Sequence, residues 1–337
     1  MTPYLNIAVT EPSQVGEARR AAVRLANEMG FDEVASGRVA LVVTELGTNL
    51  ARHAEKGRLM LGMRQLGGAP AFEIISVDHG PGMADVERCL RDGYSTGGTP
   101  GSGLGAVQRL SNGFSVFSSV GRGTAIVARV SPDHEPGVMP KAPTHQTVAV
   151  AGICLAAPGE TVSGDGWHFL EGDEVASAIV ADGLGHGPSA AEASDAAIRI
   201  FGCTPGTPSR VLELAHRGMR DTRGAAVAIA SLDVKGDAIK FAGVGNIAGR
   251  LISGISDRSL LSQHGTVGMQ IRHLNDMSYP WPTHSLLIMH SDGIATRWNL
   301  ADVGGLLQSD PAVIAAWLIR DHIRGKDDAT VVVVRRV

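Results

Sequence analysis

A chain of 337 residues exceeds the size that one hydrophobic core usually serves, which predicts two units of ordinary domain size. With 44% hydrophobic and 19% charged residues and a mean hydropathy near zero, the composition excludes the disordered and membrane classes. The net charge of −4, its acid excess gathered after Val130, and the 4% of aromatic residues argue against a nucleic-acid partner.

An acidic second half suits carboxylates gathered around cations, and a solvated acidic surface would carry the same charge. The cysteines Cys89, Cys154 and Cys203 show no paired metal spacing, and their odd count suits a reducing compartment. Met1 opens onto polar, mixed-charge sequence, and no run reaches the roughly 18 apolar residues of a membrane span. No membrane partner is expected, and the setting is read as cytoplasmic.

Helix-spaced apolar residues cover 17–29 and 34–54, followed by short strand-like runs at 58–64 and 71–77. A Gly-rich stretch then leads into a helix, and two further strands are expected at 113–119 and 124–130. The first module, 1–130, is therefore α+β, with helices layered on one face of a mixed sheet. Residues 131–147, SPDHEPGVMPKAPTHQT, hold four prolines and no apolar period, and read as a linker. The second module, 148–337, is expected to hold strands at 148–157, 175–181, 225–234, 238–243, 285–290 and 330–334 and helices at 190–201, 208–220 and 312–322. That mixture predicts packed sheets flanked by helices.

In VALVVTELGTNLARHA the apolar Val39, Val42, Val43, Leu46 and Leu50 form a buried helical stripe, while Glu45 and Asn49, four apart, share another face that Arg52 and His53 extend. Such a pair can serve as a base and a Mg²⁺ ligand beside a nucleotide, because Mg²⁺ takes few protein oxygens and completes its shell with phosphate and water. After the strand-like AFEIISV comes Asp78 in DHGPGM, with Gly80 and Gly82 spaced to let backbone approach a flat ligand. GYSTGGTPGSGLGAVQRL then sets a long Gly/Ser/Thr loop directly ahead of a helix, where free N–H groups can meet phosphates. Singly, these features also describe a solvated helix face, an ordinary turn and a flexible loop.

In that order, with Gly123 and Thr124 following, they form one pattern over nearly all of residues 1–130. It resembles the Bergerat-fold ATP-binding superfamily of gyrase-type ATPases, histidine kinases and anti-sigma serine kinases. TELGTNLARHAEKG and DHGPGMADVERCLRDGYSTGGTPGSGLG look most like the RsbT-type serine kinases. The resemblance implies a Bergerat-type α/β sandwich with Glu45 as base, Asn49 as Mg²⁺ ligand and Asp78, with Gly80 and Gly82, as adenine reader. Gly101, Gly103, Leu104 and Gly105 would form the phosphate lid, with Thr124 on the adenine side. The first histidine is His53, so no phosphoacceptor histidine precedes the module, and a protein serine is the expected acceptor.

Behind the linker stand SGD at Asp165, ADGLGHG at Asp182, HSDG at Asp292 and KDDAT at Asp327 and Asp328, each at the end of a strand-like run or just before one. Hard cations want several oxygens, and two close together need bridging carboxylates from separate strands. This set resembles the PPM-type phosphatases, specifically the stage II sporulation branch that includes RsbX-like members, from about residue 146 to the end. That resemblance implies a PPM-type β-sandwich flanked by helices and two Mn²⁺ or Mg²⁺ ions. Asp165 and Asp182 would bridge them, Gly183 would lend its carbonyl, and Asp292 and Asp327 would complete the shells with Asp328 as a helper. The branch usually reads G-D-x-x-D, whereas GDGWHF places His168 at the second acid. His186 is either structural or a phosphate contact, and Cys154 and Cys203 read as core residues.

Together the two resemblances imply a bifunctional stress-signalling switch. ATP and Mg²⁺ would serve a serine/threonine kinase in front and metal a phosphoserine/phosphothreonine phosphatase behind, both acting on a STAS-type anti-sigma antagonist or a stressosome protein. Two readings compete with it: a phosphatase under a non-catalytic ATP sensor, and a degenerate ATP-dependent partner-binding protein.

Overall fold

The computed structural model describes residues 2–66, 69–91, 103–138, 148–254 and 256–337. In chain order the elements are β1 (Leu5–Ala8), α1 (Pro12–Glu28), α2 (Glu33–His53), β2 (Arg58–Leu66), β3 (Ala69–Asp78), α3 (Val86–Leu90), α4 (Gly103–Leu110), β4 (Gly113–Ser119), β5 (Gly123–Val130), β6 (Val148–Leu155), β7 (Asp165–Leu170), β8 (Val175–Gly183), α5 (Pro188–Cys203), α6 (Pro208–Gly218), β9 (Ala225–Asp233), β10 (Ala238–Val244), β11 (Ala248–Ser253), β12 (Ser256–Leu260), β13 (Met277–Pro280), β14 (Leu286–His290), α7 (Pro311–His322) and β15 (Ala329–Arg336). By internal contact they form two units, Tyr4–Thr144 with Leu300–Arg320, and Met1–Pro3 with His145–Asn299 and Asp321–Val337. The expected second module ran unbroken over 148–337; the contacts instead group its segment Leu300–Arg320 with the front.

In the first unit α1 starts on a capping box between Glu11 and Gln14 with proline in its first turn, and α2 starts on Asp32, whose side chain accepts from Ala35 N at 2.7 Å. These caps satisfy amides that the first helical turn leaves free. The α2 stripe of Val39, Val42, Val43, Leu46 and Leu50 is buried, together with Phe72 and Ile74 of β3 and Ile126 and Ala128 of β5. Each of these Val, Leu, Ile and Phe side chains contributes roughly 1.5–3 kcal/mol relative to exposure.

The sheet runs β1-β2-β3-β5-β4 with every pairing antiparallel, which corrects the expected mixed sheet. The connection after β3 carries the chain past one strand position, so β4 lands at the edge and β5 returns between them.

The opposite face of this sheet is buried too, at Met60, Ile75, Val77, Ala125 and Val127, which is why β3 shows no alternation in sequence. On that face the fully buried Glu73 accepts from Tyr4 Oη at 2.7 Å and Arg129 Nε at 2.5 Å. Arg129 donates its two remaining nitrogens to the Asp310 carboxylate, both at 3.0 Å. Trp317 of α7 meets Phe117 of β4 edge-on at 5.0 Å between ring centroids. The segment Leu300–Arg320 is thus tied to the sheet face that α1 and α2 leave uncovered.

The second unit is a sandwich of two antiparallel sheets, β13-β10-β9-β8-β7 and β12-β11-β14-β15-β6. Its core lies between them, with Val180, Ala228, Phe241 and Trp281 among the residues buried against Leu287, Met289, Val332 and Val334. Helices α5 and α6 cover the outer face of the first sheet through Phe201, Leu212 and Ala215. No helix among the described residues is long and apolar enough to cross a membrane.

Candidate functional site

The carboxylates expected in the second unit meet at the ends of its strands. Asp165 opens β7 and Asp182 lies next to the last residue of β8, and the antiparallel register sets them directly opposite each other. Asp165 is 4% exposed and accepts from Ser291 Oγ at 2.5 Å. Burial, and then the neighbouring Asp182, push its pKa well above the ordinary carboxylate range. Asp182 is pushed up to about 7, by burial first and then by Asp292, Asp327 and Asp328. Five carboxylates, Asp165, Asp182, Asp292, Asp327 and Asp328, are therefore linked by repulsion in this cluster.

The supports around them are close-fitting. A Cβ on Gly183 would stand 2.0 Å from Ala190 O, and one on Gly293 would stand 1.9 Å from Asp328 O, so only glycine allows these backbones to approach. Asp328 accepts from Ala157 N at 2.8 Å and Gly164 N at 2.9 Å, which makes it a brace for the 157–164 loop. Asp292 accepts from Asn246 Nδ2 at 2.5 Å, and Asp327 Oδ1 accepts from Asp328 N at 2.9 Å. Among the described residues, no three His, Cys, Asp or Glu side chains stand grouped closely enough to hold a metal ion as they are.

His168 stands opposite Ile179 and packs edge-on against Phe201, its ring centroid 6.3 Å away, and burial lowers its pKa. Side chains alternate along β7, so His168 and Asp165 point to opposite faces, and the departure from G-D-x-x-D falls on the helix side. His186 is exposed and pairs with Glu160 Oε1 at 2.9 Å. The Cys154 thiol is pushed up to about 12 by burial, a packing thiol and not a nucleophile, whereas Cys203 is exposed, against expectation, because it ends α5. Sequence reasoning missed Ser291 and Asn246; the first sits beside Asp292 and the second closes FAGVGN, but neither residue type marks a site without its partner in view.

In the first unit Glu45 and Asn49 lie one turn apart on α2, both half-buried. The N-terminus of α4 comes over them: a Cβ on Gly103 would stand 2.8 Å from Glu45 Oε2 and 3.9 Å from Asn49 Oδ1. Leu104 packs on the core beside Val107, and Gly105 is buried. Gly101 lies outside the described residues.

Asp78 ends β3 opposite Thr124 of β5 and accepts from Gly80 N at 2.7 Å. Burial raises its pKa, and the backbone hydrogen bond from Gly80 pulls the other way. Gly82 has φ +71° and Gly123 has φ +94°, and Cβ atoms there would stand 2.2 Å from Ser119 O and 2.1 Å from Asp78 O. Thr124 Oγ1 lies 2.9 Å from Ser118 Oγ, which accepts from Met83 N at 2.7 Å. Asp78, Gly80, Gly82 and Thr124 are therefore one cluster, and Glu45, Asn49 and Gly103 a second. Arg320 Nη1 donates to Asp78 O at 2.8 Å, a contact across 242 positions that no local pattern announces.

The histidine kinase-like ATPase domain family matches residues 8–130, and the stage II sporulation protein E family matches residues 172–337. The serine/threonine-protein kinase RsbT of Bacillus subtilis (strain 168) is 38% identical over 113 residues, 33% of this chain and 84% of that relative. A solved structure described as "The bacterial stressosome: a modular system that has been adapted to control secondary messenger signaling" is 29% identical with a TM-score of 0.51, covering 56% of this chain and 100% of its own. RsbX in complex with magnesium is 20% identical with a TM-score of 0.49, covering 58% of this chain and 98% of its own. The chain belongs to the RsbT-like histidine kinase-like ATPase family through its front module, and its residues 172–337 are similar to stage II sporulation protein E.

Proposed function

We propose that the chain is a two-site signalling enzyme, phosphorylating serine or threonine on a regulatory protein at the front and removing phosphate from such residues at the back. The observation that carries it is the carboxylate cluster set by the β7–β8 register, because a hard-oxygen donor set with this much unrelieved negative charge fits divalent cations. Asp165, Asp182, Asp292 and Asp327, with the Gly183 carbonyl, would hold two Mn²⁺ or Mg²⁺ ions. When bound, such ions supply an activated water and neutralise charge at a phosphate ester. Ser291 orients Asp165 and Asn246 orients Asp292, while the glycines keep the strand ends from separating.

At the front, Asn49 would hold Mg²⁺, Asp78 and Thr124 the adenine, and Gly80 and Gly82 the backbone beneath it. Gly103, Leu104 and Gly105 would lie over the phosphates, where amides at the start of α4 favour anions. Glu45 is the base that takes the proton from the acceptor hydroxyl. A STAS-type anti-sigma antagonist or stressosome-type protein is the partner class, supported by the likeness to RsbT and to the stressosome structure.

The test of the front site is Glu45→Gln, which keeps the shape of the side chain and removes its basicity. Phosphotransfer to a STAS partner should fall by about 10²–10⁴-fold while ATP affinity stays within about threefold. Retained transfer in a radiolabel assay would remove Glu45 from the mechanism, and absence of transfer in the wild type would favour the ATP sensor.

A further inference from the structure

We propose that His290, held by Trp298, is a positioning residue of the divalent-cation site in the second unit, fixing Ser291 so that its hydroxyl orients the Asp165 carboxylate; this rests on the reading of Asp165 as a cation ligand.

His290 ends β14, directly before Ser291, and is fully buried. Both its ring nitrogens are engaged. Trp298 Nε1 lies 3.1 Å from His290 Nε2, and an indole nitrogen can only donate, so Nε2 accepts. The proton of the neutral ring therefore sits on Nδ1, which donates to Ser291 O at 2.8 Å. With the proton on Nε2 instead, two donors would face each other at the indole and two acceptors at the serine carbonyl. The tryptophan thus selects the tautomer that Ser291 needs.

Ser291 in turn has every polar atom committed. Its N donates to Thr330 O at 3.1 Å, and its O accepts from Ile294 N at 3.3 Å as well as from His290. Its Oγ accepts from Thr330 N at 2.9 Å, so the hydroxyl proton goes to Asp165 Oδ2, 2.5 Å away. A displaced Ser291 would carry the Asp165 carboxylate with it.

Trp298 is gripped from its other side. The Arg250 guanidinium lies over its ring, 3.7 Å from the centroid, and Arg250 Nη1 donates to Trp298 O at 2.7 Å. Arg250 Nε is itself held by Asp257 Oδ1 at 2.9 Å. The His290–Trp298 bond therefore closes the base of the loop that begins with Asp292, and all of these residues lie in the unit that holds the carboxylates. Packing alone would be served by an apolar side chain; a buried imidazole with two directed bonds gives orientation as well.

The test uses the full chain, with Mn²⁺ affinity measured by calorimetry and the ring-nitrogen shifts of His290 measured by NMR without metal. The wild-type ring should show the Nδ1–H tautomer. Trp298→Phe, which keeps a ring beneath Arg250 and removes the donor, should populate the Nε2–H tautomer and weaken Mn²⁺ binding about tenfold, as loss of a group behind a metal ligand does. His290→Leu should lose about tenfold or more, while His290→Asn, whose amide can still donate to Ser291 O, should stay within about threefold of wild type. Equal losses in the Asn and Leu variants, or unchanged affinity in Trp298→Phe, overturn the positioning role alone. An Nε2–H ring in the wild type overturns it whichever variants fold. Failure of the wild type to bind Mn²⁺ overturns the reading of the cation site and this proposal with it.

Discussion

Asp182→Asn should lose metal-dependent hydrolysis of a small phosphate ester by roughly 10³-fold, since a bridging carboxylate supports several kcal/mol of charge stabilisation and each ~1.4 kcal/mol is tenfold in rate. The isosteric amide keeps the β7–β8 register, so the loss would be chemical. The same substitution should act oppositely on the metal-free protein. The folded-state pKa of Asp182 is raised to about 7, so the folded chain holds this proton more tightly than the unfolded chain. The stability it lends is full below about pH 4 and is lost as pH rises through about 7. Metal-free Asp182→Asn should therefore gain stability on the order of 3 kcal/mol over wild type at pH 8, with little difference near pH 4. Thermal melts at both pH values, with metal chelated, measure this. A variant that turns over at half the wild-type rate, or melts below wild type at pH 8, would end the assignment.

Arg129→Met should destabilise the first unit by about 3–5 kcal/mol at neutral pH, because it strands Glu73 and Asp310 as buried carboxylates without their cation. Arg129 holds the Asp310 carboxyl down at about 2 against the opposing effect of burial. That depressed value contributes stability above about pH 4 which disappears as pH falls through about 2. In the variant the trend should reverse, since protonation relieves the stranded acids, and acidification from pH 7 to 4.5 should recover part of the loss. Urea titrations at the two pH values decide it; equal midpoints for variant and wild type at pH 7 would show that this network does not hold α7 in place.

Much of this was readable from local pattern. The α2 stripe from Val39 to Leu50 repeats at helical spacing, so Glu45 and Asn49 could be placed on one face before any fold was known. Asp78, Asp182 and Asp292 follow apolar strands and precede glycine-bearing turns, a signal that survives without partners. Of the strands that escaped, β1, β7, β12 and β13 each close a sheet, and their polar outer positions hide the alternation on which strand prediction depends, while β11 escaped although it lies between β12 and β14. Helix α7 was visible as a helix, but it is apolar all round, and a residue stripe without a polar side does not say what it packs against. Glu73 was hidden for the converse reason, as one acid inside AFEIISV whose partners, Tyr4 and Arg129, lie far off in sequence.

The double covering of the front sheet bears on where this protein can be cut. A fragment ending at the proline-rich linker would keep every residue matched to the ATPase family and still lose one wall of its own fold, with Glu73 and Arg129 opened to water beside Ile75 and Val127. The family match and the compact unit end at different residues. A gene dissected by motif alone would yield a sticky half-protein whose missing piece, Leu300–Arg320, was discarded with its neighbour.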